Sequence, residues 1–67
     1  MAKMSKDRYY VTIQGEPREH RFTKLDTARS FALDVSKAFP RRRAMVYRDE
    51  GGFDEVLGHY EHGRRLA

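Results

Sequence analysis

Hydrophobic and polar positions alternate near the start of this chain, recur at spacings of three and four in the middle, and alternate again towards the end. The segment Arg8-Tyr-Tyr-Val-Thr-Ile-Gln14 is rich in aromatic and β-branched residues, which suit a pleated, half-buried surface. A strand here puts Tyr9, Val11 and Ile13 on one face and Tyr10, Thr12 and Gln14 on the other. Gly15-Glu16-Pro17 interrupts it, because Gly admits positive φ and Pro has no amide donor. Arg18-Glu-His-Arg-Phe22 then returns as a short second strand, closing a hairpin.

Leu25, Ala28, Phe31, Ala32, Val35 and Phe39 form one apolar stripe at helical spacing. Thr23 is expected to cap the free amides of the first turn, where Asp26 also complements the helix dipole. Arg29, Ser36 and Lys37 fall on the opposite side. Pro40 ends the helix, since its ring disfavours helical geometry in the residue before it. Ala44-Met-Val-Tyr-Arg48 predicts a third strand, Asp49-Glu50-Gly51-Gly52 a turn, and Phe53–Tyr60 a fourth strand. Glu61-His62-Gly63 turns again, leaving residues 64–67 as a short, mobile end.

The expected fold is α+β with the order ββαββ: a four-stranded antiparallel sheet with one helix packed on one face. Residues 1–7 read as a flexible N-terminal lead-in and residues 8–67 as a single domain. The core is expected to hold Val11, Ile13, Phe22, Leu25, Phe31, Val35, Phe39, Val46 and Val56. One helix covers one side of a sheet, so the other side must meet water or a partner. Alternation sends Tyr10, Thr12, Met45, Tyr47, Leu57 and His59 there, a set too apolar for a merely solvated face.

Composition narrows the chemistry. A chain of 67 residues has room for one small core, and such proteins often recruit disulfides, metals or a second subunit for stability. The absence of Cys removes disulfides, zinc fingers and thiol nucleophiles. No apolar run nears the ~20 residues that span a bilayer, and the polar start lacks a secretory signal, so a cytoplasmic protein with no membrane partner is expected. Fourteen Lys and Arg against ten Asp and Glu leave a net charge of +4. Ten of the fourteen cations are Arg. That skew fits a GC-rich source and equally fits guanidinium recognition of phosphate or carboxylate.

Three clusters invite functional readings. Arg41, Arg42 and Arg43 follow the helix; with Arg48, Arg64 and Arg65 they make a candidate phosphate-facing patch. The same cations also complement the negative end of the helix dipole. Tyr10 and Tyr47 beside them suit base stacking, or form an ordinary cross-strand pair. Asp49, Glu50, Asp54 and Glu55 surround Gly51-Gly52 without the ligand spacing of a calcium loop. His59 and His62 lie three apart with no evident third ligand, and His20 is remote. No serine has a nucleophile elbow, and no phosphate loop is present. Neither catalysis, a cofactor nor a metal is expected.

Phe22-Thr23, Ala28, Phe31-Ala32, Tyr47-Arg48-Asp49, Gly52, Tyr60 and Gly63-Arg64 resemble short bacterial and phage ββαββ proteins of unknown function. The plan of hairpin, helix and terminal hairpin is similar to that of some phage-encoded anti-CRISPR proteins. The resemblance implies a non-catalytic binder that docks on a protein or nucleoprotein complex and modulates or inhibits it. The other expectation is a nucleic-acid-binding module that contacts DNA or RNA phosphates through its arginines. The candidate partner-binding residues are Tyr10, Arg41, Arg42, Arg43, Tyr47, Arg48, Arg64 and Arg65. The open face also suits a homodimer seam of Tyr10, Met45, Tyr47 and Leu57, against a monomeric alternative.

Overall fold

The computed structural model describes residues 8–66. The expected lead-in over 1–7 lies outside them, as does Ala67. Six elements follow in order: β1 (Tyr9–Ile13), β2 (His20–Phe22), α1 (Leu25–Ala38), β3 (Ala44–Asp49), β4 (Asp54–Glu61) and β5 (Arg64–Arg65). The strands form one antiparallel sheet in the order β2-β1-β3-β4-β5, and α1 lies on one face. The fold is therefore α+β with one helix, as expected, but the sheet has five strands. The fifth corrects the mobile end assigned to Arg64 and Arg65. His62 and Gly63 both have positive φ (54° and 72°), the conformation a two-residue type I′ hairpin requires. That turn folds Arg64 and Arg65 back against Glu61 and Tyr60.

The core is thin and built largely from small side chains. Val11, Ile13, Ala44 and Val46 of the sheet meet Ala28 and Ala32 of α1, with Tyr60 at one side. Ala28, Ala32 and Ser36 recur every four residues and are the buried residues of the helix. Leu25, Phe31, Leu33 and Val35 pack around that centre, half-buried. Phe31 reaches over β2, its ring 5.2 Å from Phe22 and 4.9 Å from His20. On the β4 side the Tyr60 ring lies over Gly58, where an added methyl would come within 2.9 Å of it.

Four expectations about α1 and the core are corrected. The N-cap is Lys24, which makes no side-chain capping bond, so Thr23 lies one residue outside the capping position. Ser36 faces the sheet and is fully buried. Its hydroxyl donates to the Leu33 carbonyl (2.9 Å) and accepts the Gly63 amide (3.0 Å). Phe39 is 54% exposed, because Pro40 draws it out of helical geometry (φ −128°, ψ 76°) and so off the stripe. Val56 is 52% exposed, and the cause lies in β4.

There the register breaks. Val46 pairs with Gly58 and Tyr47 with Val56, so Leu57 has no partner on β3. This β-bulge inserts one residue, and an inserted residue reverses which face each following side chain takes. Leu57 turns to the helix side and packs against the core, whereas Val56 turns outward beside Tyr47. Uninterrupted alternation assigns the two the other way round.

Candidate functional site

Pairing registers place the side chains of the face opposite α1 in rows across the strands. One row runs Arg21, Tyr10, Tyr47, Val56; the next runs Thr12, Met45, His59. Asp49 and Asp54 stand beyond the first row, and Arg43, Glu61 and Arg64 stand beyond the second. No helix of the described residues covers this face.

Tyr10 organises the first row. Its ring stacks on Tyr47 with centroids 4.9 Å apart and planes 15° from parallel, and the Arg21 guanidinium lies 4.9 Å over its other side. Its hydroxyl donates a 2.6 Å hydrogen bond to Asp54. Tyr10 is consequently only 8% exposed, which corrects the expectation of an open-face contact. Burial raises its phenol pKa above the ordinary tyrosine range, and the Asp54 carboxylate accepting its proton pushes the same way. Tyr47, Met45 and His59 remain half-buried and Val56 exposed. These, with the Arg21 guanidinium, are what a partner can touch.

The arginines do not form a continuous cationic track. Arg42 stands by Glu16 (3.5 Å) and over the Phe39 ring. Arg43 meets Glu61 (3.2 Å), which also accepts His59 Nε2 (2.8 Å) when that nitrogen carries its proton. Arg48 sits on the helix side of the register, between Glu50 and Glu55. Arg21 engages Glu19 and Asp49, the Arg64 backbone pairs opposite Glu61, and Arg65 donates to the Leu57 carbonyl (3.2 Å). Arg41 makes no ion pair with a described residue and lines a shallow apolar depression with Phe39 and Pro40. Of the sequence-selected residues, the structure brings Tyr10 and Tyr47 together, with Arg43 and Arg64 at the margin of the same face. Arg41, Arg42, Arg48 and Arg65 lie elsewhere.

Sequence reasoning missed Arg21, Asp54 and Val56. The signal for Arg21 was present: placing Phe22 in the core sends its neighbour to the other face. Asp54 and Val56 carried no such signal, because both depend on the bulge register.

Two acidic groups are shifted downward. Asp49 accepts the Gly51 amide and the Arg21 guanidinium, and both hold its carboxyl below the ordinary value of 3.8. Glu61 is held below 4.5 by His59 first and by Arg43 after it. Among the described residues, no group of three or more His, Asp or Glu side chains is placed to hold a metal ion. None of the described helices is long and apolar enough to cross a membrane. Set against known proteins, the chain matches no family model, no curated protein and no solved structure.

Proposed function

We propose that this is a non-catalytic interaction protein whose open sheet face docks on a protein surface, alone or within a nucleoprotein complex, and modulates or inhibits it. The observation that carries this reading is the sheet face that no described helix covers, on which half-buried Tyr47 and the 52%-exposed Val56 lie side by side. Stacked tyrosines under an arginine suit the hot spots of protein interfaces, which favour Tyr and Arg around a desolvated centre. Three of the six arginines proposed for phosphate, Arg42, Arg43 and Arg48, already face carboxylates. A phosphate backbone approaching them meets Glu16, Glu50, Glu55 and Glu61 as well, which weakens the case for a direct nucleic-acid module.

Fluorescence anisotropy with labelled duplex and single-stranded oligonucleotides tests the choice. Binding is expected to be weak, to fade by about 0.15 M salt as screening sets in, and to change little in an Arg41/Arg42/Arg43→Ala variant. Micromolar binding that survives that salt and is lost in the variant would put the nucleic-acid module first. A photo-reactive residue at position 47 is expected to form a defined adduct with a bound protein chain, and one at exposed Ser30 of α1 is not.

A further inference from the structure

Away from the open sheet face, the turn between α1 and β3 has a surface chemistry of its own. We infer that this turn docks an acidic protein segment, seating one apolar side chain of that segment beside Phe39 while its carboxylates meet Arg41 and Arg42.

The apolar seat is held by the backbone. Pro40 draws Phe39 out of the helix, and the Phe39 carbonyl accepts the Arg42 amide (2.9 Å), which closes the turn. Ala38, Phe39 and Pro40 line, with the two arginines, a shallow depression of about 290 Å³. Small-molecule sites usually run from about 300 to 1,000 Å³. The depression therefore suits a single large side chain better than a cofactor. An aromatic ring presented on a closed turn also loses less conformational freedom on binding than one on an open loop.

The segment that forms the turn carries one sign of charge. Lys37–Arg43 holds four cations and no carboxylate. Two carboxylates reach it from neighbouring turns, Glu16 at 3.5 Å from Arg42 and Glu61 at 3.2 Å from Arg43. Lys37 and Arg41 are exposed and form no ion pair with a described residue. Arg41 makes no side-chain hydrogen bond with a described residue either, so its whole guanidinium fork is open to a partner. Arg42 has its guanidinium carbon 5.6 Å from the Phe39 ring centre, and only its Nη1 donates, to Glu16. Nε and Nη2 remain for a carboxylate of the partner, in the paired geometry that guanidinium favours.

An apolar seat with cations on its rim complements a segment whose apolar side chain has Asp or Glu on either side. A nucleic-acid strand fits this end less well. It carries a phosphate at every step, so some phosphates would meet Glu16 and Glu61. A peptide can leave those positions neutral.

Fluorescence anisotropy tests this with a labelled short peptide that bears one phenylalanine between two pairs of glutamates. Two control peptides replace the phenylalanine by alanine, or the glutamates by glutamines. At roughly 0.05 M salt, where surface charge is only partly screened, the first peptide is expected to bind with a Kd on the order of 10–100 µM. Each control should bind at least about fivefold more weakly. Arg41→Ala and Phe39→Ala should each weaken the first peptide by about threefold or more. Both side chains are exposed, so the variants keep the fold, which circular dichroism verifies. Val56→Ala, on the open sheet face, should change nothing. Absence of binding overturns the inference. So does binding that ignores both the peptide's phenylalanine and Phe39→Ala, which would be charge attraction alone. An oligonucleotide of the same net charge that binds as tightly, and is weakened by the same variants, overturns it in favour of a nucleic acid. None of these outcomes bears on the open sheet face, which the cross-link at position 47 tests by itself.

Discussion

Tyr10 shows how a surface position becomes a buried one through its neighbours. Nothing from α1 covers it; Tyr47, Arg21 and Asp54 enclose it from its own face of the sheet. Its raised pKa means the folded protein keeps a proton that the unfolded chain releases once the pH passes 10.0. The associated stability is complete below that pH and is lost as the pH climbs towards the folded value. An alkaline absorbance titration should show one tyrosine ionising above the ordinary range, and Tyr10→Phe should remove that late component. Asp49 has the opposite sign. Its folded pKa lies below 3.8, so its contribution is complete above the ordinary carboxylate range and disappears as the pH falls through and below that value. The thermal midpoint should drop between about pH 5 and pH 3, less steeply in Asp49→Asn. A midpoint curve identical in the two proteins would assign the acid sensitivity to other carboxylates.

At the scale of elements, the bulge in β4 and the turn after it decide most of what the sequence left open. The bulge predicts that two adjacent apolar residues respond differently to truncation. Leu57→Ala should cost about 1–2 kcal/mol, less than a fully buried leucine because the residue is only partly covered. Val56→Ala should fall within about 0.5 kcal/mol of the parent, as exposed positions do. Urea denaturation of both variants in dilute solution checks this; a larger loss from Val56→Ala than from Leu57→Ala would mean an unbroken register. The β4–β5 turn is tied to α1 by the Ser36 hydroxyl accepting the Gly63 amide. Ser36→Ala strands that amide and should destabilise the fold by about 1–2 kcal/mol, with faster hydrogen exchange at Gly63 and Arg65. Exchange unchanged there would show that the turn holds without the helix.

At the scale of the whole molecule, one helix over five strands leaves one face of the sheet without a cover among the described residues. A net charge of +4 would ordinarily favour a polyanion, but the acid partners of Arg21, Arg42, Arg43 and Arg48 divide the field into small, balanced patches. The oligonucleotide experiment follows from that. Contact with three or four phosphates would give a slope of log affinity against log salt of roughly −3 to −4 for duplex DNA; a shallower slope is expected here.

The local pattern alone determined the helix, its end before Pro40, and the four longer strands, because periodicity and turn chemistry act within a few residues. It also placed Val11, Ile13 and Val46 in the core, and Tyr10 and Tyr47 on the opposite face of the sheet. Only the tertiary structure decided three things. The type I′ turn at His62-Gly63 made a strand of Arg64 and Arg65, since two residues gain strand geometry only with β4 beside them. Close packing of α1 put Ala28, Ala32 and Ser36 at its centre in place of the larger side chains, which spread to its flanks. The bulge exchanged Val56 and Leu57 between faces, because side-chain direction in a strand depends on a register set by the partner strand.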